Sequence, residues 1–62
     1  MNYKNIEKFA WSLTDGRDFT DEEFNDRNLI RELVQILRDD KRKFLRREHI
    51  EMIKKYELDI EL

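Results

Sequence analysis

Little in this chain could do covalent chemistry. Its one histidine is His49, and its hydroxyls are Ser12, Thr14, Thr20 and two tyrosines. Nucleophilic catalysis needs a nucleophile, a base and an orienting group brought together. Ser12 and His49 lie far apart in the chain and could meet only through the tertiary fold. Carboxylates are plentiful, but they sit in charge-rich stretches rather than in the apolar surroundings that tune a carboxyl for acid–base work. The expectation is a non-enzyme with no small-molecule substrate and no cofactor.

Metal sites fare no better. The absence of cysteine excludes disulfides and thiolate ligands. Residues 15–26 invite comparison with a calcium loop. Aligned from Asp15, however, the third position is Arg17, the fifth Phe19 and the sixth Thr20, where an EF-hand needs oxygen ligands at the third and fifth and glycine at the sixth. His49 has no second histidine and no cysteine with which to hold zinc. A hydrogen-bonded core histidine is the expectation there, and no bound metal.

Three surfaces remain as candidates for binding. Trp11 falls on the polar side of the first helical segment, near Lys4 and Lys8, and tryptophan is among the residues enriched at interface hot spots. The tail Glu57-Leu58-Asp59-Ile60-Glu61-Leu62 alternates apolar and acidic residues, so Leu58, Ile60 and Leu62 would share one face of an extended segment. Such an edge could add to a partner's sheet, pair with a second copy, or fold back over Trp11. The third candidate is Lys41, Arg42, Lys43, Arg46 and Arg47, five bases within seven positions that could contact phosphates.

Charge patterning weighs on that last reading. Residues 15–26 carry six acids against one base, and residues 38–55 carry eight bases against four acids. Acids at the start of a helix and bases near its end complement the helix dipole, which accounts for much of this polarity. A formal net charge of −2 and a pI near 5.4 also speak against general nucleic-acid affinity. A helix-turn-helix would normally have a short, often glycine-containing turn before its recognition helix. Here the turn has no glycine.

Periodicity supplies the elements that would position these residues. Ile6, Phe9, Ala10 and Leu13 follow the i, i+3, i+4, i+7 spacing of a helix over about residues 3–14, closed by Thr14-Asp15-Gly16. Thr20 and Glu23 form a capping box, with Phe19 and Phe24 at the two positions of a hydrophobic staple. The helix that follows, about 21–38, carries Leu29, Ile30, Leu33, Val34, Ile36 and Leu37 on a stripe about 160° wide at 100° per residue, suited to a central helix with two neighbours. Leu45, His49, Met52, Ile53 and Tyr56 form a third stripe, rotated by about 130° if the helix ran on unbroken. A turn between Asp39 and Phe44 followed by a helix over about 45–56 is therefore expected. One long bent helix is the competing arrangement.

The fold class expected is all-α, a single three-helix mini-domain over residues 1–62 with an extended tail at 57–62. Charged residues make up 45% of the chain, yet the near-cancellation of charge removes half of what disorder requires. No run of apolar residues approaches the roughly 20 that cross a bilayer, and no signal-peptide core is present, so a cytoplasmic protein without a membrane partner is expected. The scarcity of alanine, glycine and proline resembles small accessory proteins of phages and mobile elements in AT-rich bacteria. A core of 24 apolar residues in 62 rarely supplies more than about 3–5 kcal/mol. Together these features point to a regulator, adaptor or inhibitor that binds another protein or itself as a homodimer, with Trp11, Leu58, Ile60 and Leu62 as its contact residues. Nucleic-acid binding through Lys41, Arg42, Lys43, Arg46 and Arg47 is the alternative.

Overall fold

A computed structural model describes residues 3–16 and 18–60. Its elements are α1 (Lys4–Ser12), α2 (Asp21–Arg38), a short 3-10 helix (Arg42–Phe44) and α3 (Arg47–Lys55), with no strand among the described residues. The protein is all-α. The central helix is α2, which packs against both α1 and α3. Ile6 and Ala10 of α1 meet Ile30 and Val34 of α2 and Met52 of α3, and all five are buried. Phe9 and Tyr56 close one side of this core, with ring centroids 5.1 Å apart in an edge-on arrangement.

The start of α2 is as the capping box dictates. Thr20 Oγ1 accepts the backbone N–H of Glu23 at 3.1 Å, and Glu23 Oε1 accepts the N–H of Thr20 at 3.0 Å. Two of the orphan donors of the first turn are thereby satisfied. Phe19 and Phe24 stack with centroids 6.1 Å apart, fixing the angle at which the chain enters the helix.

The ends of α2 and α3 show how this chain stops helices almost without glycine. Asp40 and Glu57 both adopt the left-handed conformation, at φ of 55° and 50°. After α2, Lys41 N–H reaches back to the Ile36 carbonyl (2.9 Å) and Asp40 N–H to that of Leu37 (3.2 Å); after α3, Leu58 N–H reaches that of Ile53 (3.0 Å). These are Schellman bonds, in a motif that usually places glycine at the left-handed position. The break at Asp40 excludes one long bent helix. It also moves the start of α3 to Arg47, because Leu45 and Arg46 are extended. A non-glycine residue in this region costs roughly 1–2 kcal/mol. Glu57→Gly is thus expected to stabilise the protein by about 1 kcal/mol, raising Tm by roughly 5 °C in a thermal melt.

The tail does not stand free. Leu58 and Ile60 pack against the core cluster, and Ile60 N–H bonds to the Leu58 carbonyl at 2.8 Å in a tight γ-type turn. Leu58 and Ile60 both reach the core, but through this turn rather than along one face of an extended segment. Leu62 lies outside the described residues.

One polar cluster lies within this packing. Asp26 follows the stripe of α2, four residues before Ile30, and is only 5% exposed. Its Oδ2 accepts the Tyr56 hydroxyl (2.5 Å) and the Lys55 ammonium (2.7 Å), which also reaches Glu22 at 3.2 Å. Burial, followed by the hydrogen bond to Asp26, raises the Tyr56 pKa above its ordinary value. The hydrogen bond to Asp26 raises that of Lys55. Each group therefore holds its proton more tightly folded than unfolded, so its contribution is complete below its unfolded pKa and is lost as pH rises through its folded one. Denaturant melts are expected to show stability falling above about pH 10, where a free tyrosine begins to ionise.

Candidate protein-binding surface

The side of α1 opposite its core stripe carries Trp11, which is 49% exposed. Leu58 and Ile60 pack against the core cluster rather than over this indole. Its neighbours come from α2, where Arg27 and Arg31 are one turn apart and share a face. The Arg31 guanidinium carbon stands 4.4 Å from the indole centroid and that of Arg27 stands 5.2 Å away, both within the range of cation–π attraction. Arg27 also lies over the ring of Phe24 at 4.5 Å. Phe24 in turn stacks on Phe19, so cations and rings run in series through Phe19, Phe24, Arg27, Trp11 and Arg31.

The two arginines are held differently. Arg27 donates from Nη1 to Thr14 Oγ1 (3.2 Å), and from Nε and Nη2 to Asn28 Oδ1 (3.2 and 2.9 Å), which ties the α1–α2 connection to α2. Arg31 is exposed and, among the described residues, makes no hydrogen bond or ion pair; its recorded contact is the indole. Its guanidinium rests against the indole and is exposed, and the fork of N–H donors it carries is one that matches a carboxylate. Beside it an open hollow is lined by Glu7, Asn28, Arg31, Glu32 and Gln35. Glu7 within that rim is paired with Arg38 at 2.7 Å.

A second hollow adjoins the first through Glu32 and Gln35 and extends to Ile36, Phe44, Arg46 and His49. His49 is only 3% exposed. Its Nδ1 accepts the backbone N–H of Arg46 at 3.0 Å, capping α3, so the ring proton sits on Nε2, which donates to Glu32 at 3.2 Å. The histidine therefore joins α3 to α2. Lys41, Arg42, Lys43, Arg46 and Arg47 are all exposed. Phe44 among them is 58% exposed, with the Lys43 ammonium 5.3 Å from its ring.

Of the residues expected to bind a partner, the structure thus exposes Trp11 and places Leu58 and Ile60 against the core instead. Arg27, Arg31 and Phe44 went unnoticed in the sequence. The signal for the two arginines is their i, i+4 spacing along the edge of the α2 stripe, next to Val34; nothing local showed that α1 would set Trp11 beside them. Ser12 donates its hydroxyl to the Phe9 carbonyl at 2.6 Å, and His49 is engaged by Arg46 and Glu32. Among the described residues no cluster of three or more histidine or acidic side chains could hold a metal ion, and no helix is long and apolar enough to cross a membrane.

Compared with known proteins, the chain matches no family model, no curated protein and no solved structure.

Proposed function

We propose that this chain is a non-enzymatic regulator, adaptor or inhibitor that works by binding another protein through the face around Trp11. The observation that carries this reading is an exposed indole held between two guanidinium groups of a neighbouring helix. Tryptophan and arginine are the residues on which interface energy concentrates, and pre-ordering a side chain before association lowers the entropy cost of docking it. The indole offers a broad apolar surface, and Arg31 next to it offers an exposed set of donors. A partner that sets a carboxylate beside an apolar or aromatic side chain would satisfy both at once.

A second copy of the chain is the other occupant this face would suit, since Asp18 and Glu23 stand next in sequence to the exposed rings of Phe19 and Phe24. Affinity capture with the tagged 62-residue chain, with and without nuclease, tests the proposal. The expected result is a defined set of proteins that survives nuclease, or self-association seen by sedimentation equilibrium. A monomer that retains no protein, or only proteins released by nuclease, would overturn it.

A further inference from the structure

The turn between α2 and α3 carries a second site, independent of Trp11. Among the described residues, Phe44 is the most exposed of the large apolar side chains. Trp11, Phe19 and Phe24 each rest against a ring or guanidinium from elsewhere in the chain; the cation beside Phe44 belongs to its sequence neighbour, Lys43. The backbone that carries the ring is fixed by the 3-10 helix, where Phe44 N–H bonds to the Lys41 carbonyl (2.9 Å) and Leu45 N–H to that of Arg42 (3.1 Å). Lys41, Arg42 and Lys43 precede it, Arg46 and Arg47 follow, and residues 41–47 contain no acid.

We propose that Phe44 and the exposed bases around it form a binding site for single-stranded nucleic acid. An aromatic face set among cations is the recurring platform for unpaired bases, because every base has a π-face to stack and every linkage a phosphate to neutralise. The placement argues against duplex DNA. A recognition helix presents its first residues to base edges, whereas the first turn of α3 runs Arg47, Glu48 and the buried His49, one base against one acid. A ring standing out from a turn needs a base already free of its partner.

The test is fluorescence anisotropy with a labelled oligothymidylate of about twelve nucleotides, within the span a small single-strand site covers, beside a duplex of equal length. The full chain is expected to bind the single strand more tightly than the duplex. With about four phosphates neutralised, affinity should fall roughly 50-fold between about 50 and about 200 mM salt. Phe44→Ala is expected to weaken binding roughly tenfold or more, Phe44→Trp to preserve it, and neutralising Lys43, Arg46 and Arg47 together to flatten the salt dependence. Phe44 is exposed, so circular dichroism should show both Phe44 variants folded. No binding at low salt, equal binding of duplex, equal binding of polyglutamate, or affinity unchanged in folded Phe44→Ala would each overturn the site.

Discussion

Replacing Asp26 by alanine is expected to remove about 2–3 kcal/mol of stability, much of what a core of this size supplies. The carboxylate is buried on the core stripe of α2 and receives the Tyr56 hydroxyl and the Lys55 ammonium. Hydrogen bonds to a charged acceptor contribute about 1.5–3 kcal/mol, and a half-buried donor left without a partner adds its desolvation cost. Tyr56 also packs edge-on against Phe9 of α1, so loosening it disturbs the junction of α1, α2 and the segment after α3. Asp26→Asn keeps an acceptor for the phenol and loses the charge, and should fall between wild type and Asp26→Ala. Urea melts check the series. A loss below about 0.5 kcal/mol in Asp26→Ala, within the range of ordinary surface substitutions, would mean that the cluster does not join the helices.

Trp11→Ala is expected to weaken partner binding about a hundredfold while leaving the fold in place. Truncating a central tryptophan at an interface costs about 2–4 kcal/mol, and 1.4 kcal/mol is a factor of ten. In the free protein the indole is half exposed, and its contacts with Arg27 and Arg31 are worth about 0.5–1 kcal/mol each at an exposed site. Arg31→Ala should weaken binding less and Arg31→Glu more, because the reversed charge would repel a carboxylate as well as release the indole. Isothermal titration with a captured partner measures all three variants, and equal affinity for Trp11→Ala and wild type would remove this face from the interaction.

The fold was largely legible because helical phase is a strong signal over segments this long. Ile6 and Ala10, and then Ile30, Leu33, Val34 and Leu37, lie on the stripes the spacing defines, and all are buried. Thr20 and Glu23 placed the start of α2 through a local rule that needs no tertiary information. The ends of α2 and α3 were harder to read because Asp40 and Glu57 take left-handed positions that ordinarily advertise themselves as glycine. Asp26 was hidden for a related reason. Counted among the acids that complement the dipole of α2, it is instead a stripe residue whose partners arrive from about thirty positions away.

The candidate surfaces were legible in part. Alternation put Leu58 and Ile60 on one face, yet alternation cannot say whether that face meets a partner or its own core, and in the structure both residues meet the core. Truncation after Tyr56 would therefore be expected to cost stability, which makes it a poor probe of binding. Trp11 stood out by its position opposite the α1 stripe. Its flanking arginines depend on how α1 crosses α2, which no single-helix pattern contains.

Because Trp11 is the chain's one tryptophan, a single measurement isolates it whatever the partner contains. Fluorine NMR of the chain labelled with fluorotryptophan reports one indole environment, before and after a captured partner is added. The account predicts that the resonance shifts and broadens on binding, and that it becomes protected from a soluble paramagnetic quencher. A resonance that keeps its position and its exposure to the quencher in the saturated complex would contradict it.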